Sequence, residues 1–586
     1  MARFDVWAPA ASAVEVEVWE PSKAAGRYAL TAGERGRWSV DVPDAAPGDD
    51  YAYLLSTAAG PAEKALPDPR SRWQPHGVDG PSRLYDDAAF AWTDERWRGL
   101  PLAGSVLYEL HVGTFTDAGT FDAAVEKLDH LVELGIDAIE LLPVNAFGGR
   151  HGWGYDGVDL YAVHDPYGGP DGLKRLVDAC HARGLGVVMD VVYNHLGPAG
   201  NYLARFGPYF TDTHVTPWGA AVNLDAPGSD AVRAFVLDNA RMWLRDFHID
   251  GLRLDAVHAL ADERAVHILE ELAVAVDQLA AQTRRPLFLV AESDLNDPKL
   301  VRSREAGGYG LDGQWCDDVH HALWATLSGE RQGYYVDFGP LWVLAKAMRH
   351  AFVHDGDYST FRSRRHGRPA TGVPSSRFVT FLQDHDQIGN RAQGDRASAT
   401  LSDGMLRVGA ALLLLSPFTP MLFMGEEWGA RTPWQFFSDH AGELGDAVRN
   451  GRRAEFASHG WSTDEVPDPQ DPQTLANSRL DWDEPTGARG AALLDWHRKL
   501  IRLRRDEPDL TDPDLAHVEV RYDEAARWFV LRRGSLAVVA NLADHRQLIA
   551  VEGTPVRVLL ASETGFGYGA GSVEIDGESV AVLQLL

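Results

Sequence analysis

Residues 251–259 read GLRLDAVHA, a short apolar strand that ends in charged side chains. Successive side chains of a strand point to opposite faces, so Arg253 and Asp255 share one face while Leu252 and Leu254 share the other. A guanidinium beside a carboxylate keeps that carboxylate anionic, as a nucleophile requires. Three further apolar stretches end in acids: VVMD at 187–190, LFLVAE at 287–292 and FVTFLQDHD at 378–386. Ionisable groups in such places are costly to bury and indicate a functional site.

Strands of this kind alternate with amphipathic helical stretches through residues 105–505. Eight strands are predicted, at 106–111, 138–143, 186–194, 251–257, 287–292, 314–318, 378–383 and 421–425. Eight strand–helix units favour a protein of the α/β class with a (β/α)8 TIM barrel. An open doubly wound sheet is the alternative, but no glycine-rich phosphate loop follows the first strand to support it. A barrel places its chemistry at the C-terminal ends of the strands.

The segments on either side of the barrel are rich in short strands. Residues 1–90 contain no cluster of acids, bases or nucleophiles and predict an N-terminal β-sandwich, immunoglobulin-like, with a structural or sugar-docking role. We expect the catalytic barrel to occupy residues 91–510. Residues 511–586 predict a small C-terminal antiparallel β domain, with strands at 518–522, 528–532, 536–541 and 556–560.

The chain carries a large negative charge. Its 586 residues include 55 Lys and Arg against 85 Asp and Glu, a net charge of −30. Such a polyanion repels phosphate backbones and anionic lipid, which argues against nucleic-acid and membrane partners, whereas a neutral sugar meets no such repulsion. Cys180 and Cys316 form no disulfide framework or zinc motif, and residues 1–10 lack the features of a signal peptide. We expect a cytoplasmic protein without a cofactor.

Three carboxylates, an arginine and two histidines at one barrel mouth are typical of glycoside cleavage. One anion attacks the sugar, one acid protonates the leaving oxygen, and a third carboxylate stabilises the oxocarbenium-like transition state. Any one of these acids alone is more often a helix cap or a surface ion pair, and the joint pattern decides against that interpretation. Glu292 ends an apolar strand, which disfavours its ionised form and suits a proton donor.

DVVYNH (190–195), GLRLDAVHA (251–259), VAES (290–293) and His385–Asp386 are similar, in this order, to four hallmark segments of the α-amylase superfamily, glycoside hydrolase family 13. The resemblance covers roughly residues 105–505. It implies a retaining mechanism, with Asp255 as nucleophile, Glu292 as general acid/base and Asp386 as transition-state stabiliser. Retention predicts about 5–5.5 Å between the first two carboxyl groups. The resemblance also implies a sugar-binding set: Tyr155, His195, Arg253, His258, Asp317, Asp318, His320, His321, His385, Gln387 and Asn390.

Four further stretches, at 151–187, 209–225, 314–323 and 451–474, resemble a subgroup of the superfamily. Its members hydrolyse the α-1,4 bond next to the trehalose unit of maltooligosyltrehalose, releasing trehalose and a maltooligosaccharide. We therefore expect an α-glucan oligosaccharide of this kind as the partner. Two alternatives stay open: a glucan branching enzyme, in which a sugar 6-hydroxyl replaces water, and a non-catalytic carbohydrate-binding protein, which would lack one or more of the three carboxylates.

Three smaller features are uncertain from sequence. Asp384 stands where many relatives have Asn, and as a neighbour of Asp386 on one strand face it could raise a nearby pKa. His320 and His321, near Asp317, suggest a metal site, but adjacent residues of a strand face opposite ways, so no metal is predicted. Flat rings useful for sugar stacking occur in loops rich in Gly and Pro, although buried packing is the commoner role of such rings: Trp218, Trp428 and Trp434.

Overall fold

Eight parallel strands close into a barrel in the computed structural model, which describes residues 1–19, 26–58, 60, 64–457, 465–569 and 571–586. We name them β1 (Leu107–Leu110), β2 (Ala138–Leu141), β3 (Gly186–Val191), β4 (Gly251–Leu254), β5 (Phe288–Ala291), β6 (Gly313–Trp315), β7 (Phe378–Phe381) and β8 (Thr419–Phe423). Each strand pairs with the next along the chain, and β8 pairs with β1. The predicted TIM barrel is confirmed, and each observed strand overlaps one of the eight predicted strands.

The barrel interior is a packed apolar core rather than a pore. Inward-facing side chains form one buried cluster: Leu107, Ala138, Val188, Phe288, Val290, Trp315, Val379, Phe381 and Met421. Strands buried on both faces read as continuous apolar runs, which explains why the sequence pattern located them. Above this cluster, towards the C-terminal ends of the strands, the inward-facing side chains become charged, beginning with Glu109 on β1 and Arg253 on β4.

Helices cover the outside of the barrel. In the helix Gly169–Ala182, apolar side chains at positions 173, 176, 177 and 180 are fully buried, the spacing of one helical face. The α-helices are Val112–Phe115, Phe121–Val125, Leu128–Leu134, Gly169–Ala182, Leu203–Phe206, Ser229–Asp246, Ile268–Thr283, Asp317–Ser328, Leu341–His350, His385–Gly389, Ala397–Thr400, Asp403–Leu414, Gly442–Ala457, Pro472–Asn477 and Ala488–Asp506. Among the described residues, no helix combines the length and the apolar character that crossing a bilayer requires.

Two β domains flank the barrel, as the sequence predicts. The N-terminal one has two antiparallel sheets, of strands Ala2–Trp7, Arg37–Val42 and Thr31–Ala32, and of strands Gly26–Ala29, Ala11–Trp19, Asp50–Thr57 and Ser82–Arg83. The C-terminal one pairs a five-stranded sheet (Val518–Asp523, Trp528–Arg533, Leu536–Asn541, Ser579–Leu585 and Pro555–Ala561) with a three-stranded one (Gln547–Ala550, Ser572–Ile575 and Gly567–Gly569).

Three short antiparallel pairs lie within loops of the barrel: Asn145–Phe147 with Gly157–Val163, Phe210–Thr216 with Gly219–Val222, and Tyr358–Ser359 with Arg364–Arg365. The first two pairs overlap the stretches 151–187 and 209–225, which resemble a subgroup of the α-amylase superfamily. Within the fourth such segment, 451–474, residues 458–464 lie outside the described residues.

Candidate active site

A cleft of about 520 Å³ opens at the C-terminal ends of the barrel strands. Nine of the predicted site residues line it: Tyr155, His195, Arg253, Asp255, His258, Glu292, His385, Asp386 and Asn390. The three acids come from the ends of β4, β5 and β7, which are far apart in sequence. Closure of the barrel brings them to one pocket.

Asp255 follows directly after β4 and is held by two donors. Arg253 Nη1 donates to Asp255 Oδ1 at 2.8 Å, and Asn194 Nδ2 donates to Asp255 Oδ2 at 2.8 Å. The same Arg253 nitrogen donates to Asp190 Oδ2 at 2.8 Å, and the guanidinium lies over the Trp315 ring at 4.3 Å. Arg253 is 2% exposed, so its charge acts on Asp255 with little screening by solvent. These contacts fix the orientation of the Asp255 carboxylate.

Glu292 follows directly after β5 and has the opposite character. Burial, with the carboxylates of Asp255 and Asp317 adding to it against Arg253, raises the pKa of Glu292 to about 8. Its Oε2 accepts the backbone N–H of Ala256 and lies 3.9 Å from Arg253 Nη2. Ala256 itself adopts a left-handed conformation, with φ +39°. At neutral pH the protonated form of Glu292 therefore predominates.

His385 follows β7 and belongs to a chain of buried hydrogen bonds. Its Nδ1 lies 2.5 Å from Glu109 Oε1, and its backbone N–H donates to Glu109 Oε2 at 2.9 Å. Its Nε2 lies 2.8 Å from the hydroxyl of Tyr155, which donates to Asp190 Oδ2 at 2.7 Å. Since Asp190 also accepts from Arg253, the chain runs from inside the barrel to the residues that hold Asp255.

Asp386, the third acid, is exposed at the cleft and accepts a hydrogen bond from Asn390 Nδ2 at 2.9 Å. The expectation that Asp384 shares a strand face with it is wrong. Strand β7 ends at Phe381, and Asp384 instead caps the short helix His385–Gly389, accepting the N–H of Gln387 at 2.6 Å. Burial and then the Glu109 carboxylate raise the pKa of Asp384 well above its usual range. The neutral form of Asp384 is therefore favoured beside Asp386.

Of the three tryptophans weighed as sugar platforms, one lies at the cleft. Trp218 is 49% exposed and stacks on the His195 ring, with centroids 4.6 Å apart and planes 6° apart. Trp428 and Trp434 are fully buried packing residues. Trp434 Nε1 also donates to the carbonyl of His385 at 3.0 Å, which supports the loop behind the cleft.

Five predicted cleft residues do not line it: Asp317, Asp318, His320, His321 and Gln387. Strand β6 is only three residues long and ends at Trp315. Residues 317–328 then form a helix rather than a continuation of the strand. The helix buries Asp318, whose Oδ2 accepts the N–H groups of Val353 and His354. His320 and His321 are buried too, so the sequence reasoning about their strand faces is wrong.

Both histidines of this helix support aromatic packing. His320 Nε2 lies 2.9 Å from the hydroxyl of Tyr335, and the His321 ring contacts those of Tyr334 and Phe338. Tyr334 in turn donates to Gln387 Oε1 at 3.1 Å, and Gln387 does not line the cleft either. These residues form the wall behind the site.

Asp317 is the first residue of that helix, and its side chain is only partly buried. Its carboxyl group is close enough to those of Glu292 and Asp386 for their charges to interact. Its carboxylate raises the pKa of Glu292, while burial and nearby carboxylates, including those of Asp294 and Asp386, raise the pKa of Asp317 itself to about 7. Asp317 does not line the cleft of about 520 Å³, although its charge acts on the acids that do.

Sequence reasoning missed several residues of the site. Glu109 sits inside the predicted first strand, where an acid in an apolar run was the available signal. The side chains of Trp153, Phe436, Phe437 and Arg452 also line the cleft. Only the positions of the three aromatic residues in loops rich in aromatics hinted at it, and Arg452 lies on the helix Gly442–Ala457. Within the described part of the chain, no group of three or more His, Cys, Asp or Glu has an arrangement that could hold a metal ion.

Comparison with known proteins follows the three parts of the fold. The alpha amylase catalytic domain matches residues 88–208, carbohydrate-binding module 48 (isoamylase N-terminal domain) matches residues 1–71, and a domain of unknown function, DUF3459, matches residues 513–582. The malto-oligosyltrehalose trehalohydrolase of Arthrobacter ramosus is 54% identical over 100% of this chain and 99% of its own length. The chain belongs to the malto-oligosyltrehalose trehalohydrolase family.

The chain is also similar to two proteins with other names. A putative alpha amylase from Salmonella typhimurium, solved as a crystal structure, superposes with a TM-score of 0.89 at 37% identity, covering 99% of this chain and 97% of its own. A 1,4-alpha-glucan branching enzyme of Corynebacterium jeikeium is 28% identical over 74% of this chain and 61% of its own length. The resemblance to the α-amylase superfamily is confirmed, and the chain is a glycoside hydrolase.

Proposed function

We propose that this hydrolase cleaves the α-1,4 bond next to the trehalose unit of maltooligosyltrehalose, with Asp255 as nucleophile, Glu292 as general acid/base and Asp386 as transition-state stabiliser. The products are trehalose and a maltooligosaccharide. Both cysteines, Cys180 and Cys316, are free and buried, which is compatible with work in the reducing cytoplasm.

The opposite environments of two carboxyl groups support this assignment most directly. Asp255 is paired with the Arg253 guanidinium, whereas burial raises the pKa of Glu292 to about 8. A pair of acids whose environments differ in this way supplies an anion for attack and a proton for the leaving group at the same pH. A binding protein has no use for this difference.

In the first half of the reaction, a carboxylate oxygen of Asp255 attacks C1 of the glucose in the −1 subsite. The bond from C1 to the glycosidic oxygen breaks, and Glu292 gives its proton to that oxygen, so trehalose leaves as a neutral alcohol. Positive charge develops on the ring at the transition state, and the exposed carboxylate of Asp386 stabilises it. Retention requires the carboxyl groups of Asp255 and Glu292 to lie about 5–5.5 Å apart.

In the second half, Glu292 is a carboxylate and takes a proton from water. The water oxygen attacks C1, the ester bond to Asp255 breaks, and the maltooligosaccharide is released with its α configuration retained. Tyr155, His195 and Arg253 line the pocket around the −1 ring, and Trp218 offers a flat face beside it. His258 and Asn390 complete the polar lining, and Asp317 lies on the side of Glu292.

Product analysis tests the substrate. The purified chain is incubated separately with maltooligosyltrehalose, with a maltooligosaccharide of equal length and with amylose, and the Asp255→Asn variant serves as control. We expect free trehalose from the first substrate, at a rate far above cleavage of the second, and none with the control. New α-1,6 branches in the amylose would favour the branching enzyme, and equal cleavage of the first two substrates would contradict trehalose-side specificity.

A further inference from the structure

Glu109 is a buried acid beneath the sugar-binding pocket that the reaction described above does not use. It is the third residue of β1, is 1% exposed and faces the barrel interior. Both its oxygens are committed to one residue, since Oε1 lies 2.5 Å from His385 Nδ1 and Oε2 accepts the His385 backbone N–H at 2.9 Å. A carboxylate placed in this way fixes both the position and the rotation of the imidazole ring.

We propose that Glu109 is the positioning residue that keeps His385 as an imidazolium, so that its Nε2–H remains a charged donor to the Tyr155 hydroxyl oxygen beside the −1 subsite. The proposal deepens the function given above and rests on it. His385 lines the cleft, and its Nε2 lies 2.8 Å from the Tyr155 hydroxyl. Because the Tyr155 hydroxyl donates its own proton to Asp190, the His385 Nε2–H donates to the Tyr155 oxygen. A sugar that enters the subsite therefore meets a His385–Tyr155 pair whose orientation and charge Glu109 sets from inside the barrel.

The charges around His385 support an imidazolium. Burial disfavours the charged ring, but the Glu109 carboxylate, through its charge and its hydrogen bond, outweighs burial and raises the pKa of His385 to about 10. The titratable groups that face the ring from the neighbouring elements are Glu109 of β1, Glu140 of β2, Asp190 of β3, His111, Tyr155, Asp384 and Asp386. Among these, Glu109 and Tyr155 bond directly to the ring, and Glu109 is the acid of the two.

Glu140 provides a natural comparison, because it lies beside Glu109 in register on β2. It is 1% exposed, and neither of its oxygens has a hydrogen-bond partner in the described structure. Burial and then the Glu109 carboxylate raise the pKa of Glu140 well above its usual range. Of the two neighbouring carboxyl groups, Glu109 is the one paired with His385, and the neutral form is favoured at the unpaired Glu140.

The test uses a substrate whose cleavage depends on the charge of His385 but not on the proton of Glu292. An α-maltotriosyl fluoride needs no proton on its leaving group, so kcat/KM reports attack by Asp255 and is insensitive to the Glu292 proton. The variants are Glu109→Gln, Glu109→Asp and the matched control Glu140→Gln, each compared with the unmodified chain between pH 5 and pH 9. Thermal unfolding of each variant shows whether it folds.

We expect a flat profile up to about pH 9 for the unmodified chain, for Glu140→Gln and for Glu109→Asp, which keeps the carboxylate. Glu109→Gln should show a new alkaline limb near pH 6.5, with kcat/KM at pH 8.5 reduced about 100-fold and largely restored at pH 5.5. A uniform loss at all pH values, or the same limb in Glu140→Gln, would overturn the proposal.

Two further outcomes keep the test decisive. If Glu109→Gln does not fold, the unmodified chain alone decides, since an alkaline limb below pH 8 with the fluoride contradicts an imidazolium held by Glu109. If the unmodified chain cleaves the fluoride but not maltooligosyltrehalose, the proposed substrate is wrong, and the pH comparison still tests the role of Glu109.

Discussion

Replacing Glu292 by glutamine removes the proton donor while keeping the shape of the side chain and an oxygen for the Ala256 N–H. Burial raises the pKa of Glu292 to about 8, so roughly nine tenths of the molecules carry the proton at pH 7, whereas an unshifted glutamic acid would carry it in about 1 molecule in 300. The fold therefore increases the supply of acid about 300-fold. A raised pKa also means that this acid is present below pH 8 and is lost as the pH rises through that value.

For Glu292→Gln we expect kcat/KM on maltooligosyltrehalose to fall by about 10²–10⁴-fold at pH 7, because general-acid catalysis contributes that much. The alkaline limb near pH 8 should disappear. On an α-maltooligosyl fluoride, whose leaving group needs no proton, kcat/KM should stay within about tenfold of the unmodified chain.

The assay is initial-rate kinetics on both substrates between pH 5 and pH 9.5, with trehalose measured for one and fluoride for the other. An equal loss on both substrates would mean that the variant damages the pocket rather than the proton transfer. A retained alkaline limb on maltooligosyltrehalose would remove Glu292 from its role.

Three further predictions concern other parts of the molecule. Asp255→Asn should lose more than about 10³-fold in kcat while its circular dichroism spectrum is unchanged, because the amide keeps an acceptor for Arg253 but cannot form the ester; kinetics like those of the unmodified chain would refute the nucleophile. Trp218→Ala should raise KM about 5- to 30-fold with little change in kcat, since about 1–2 kcal/mol of ring contact is lost; an unchanged KM would show that Trp218 does not contact the sugar. Arg504→Met should lower the free energy of unfolding by about 3 kcal/mol or more in chemical denaturation, because Arg504 donates to the buried carbonyls of residues 414, 416 and 418. The control Arg498→Met, at an exposed ion pair, should lower it by less than about 0.5 kcal/mol. Equal losses in the two variants would contradict this account of Arg504.

The sequence predicts the barrel well because its strands are buried on both faces. A short continuous apolar run such as residues 287–291 is typical of a strand buried on both faces. The acid that follows it, Glu292, marks the C-terminal end of the strand. Once eight such runs close into a ring, Asp255, Glu292 and Asp386 have to meet. The general position of the site follows from topology, without any knowledge of side-chain contacts.

The errors come from places where local pattern is ambiguous. Strand β6 has three residues and runs almost directly into the helix Asp317–Ser328, so the apolar alternation around His320 suits a strand and a helix equally well. Glu109 was missed for a different reason. Its partner His385 lies 276 positions away, and only barrel closure, which pairs β8 with β1, places the two side chains together.

The location of the covalent intermediate tests the central claim most directly. Glu292→Gln is incubated with an α-maltotriosyl fluoride, quenched in acid, digested with pepsin and analysed by mass spectrometry. Because glycosylation proceeds and hydrolysis of the ester is slowed, a maltotriosyl group should be found on Asp255. A maltotriosyl group on Asp190, Asp386 or any other residue would contradict the assignment of three carboxylates around one glucose ring.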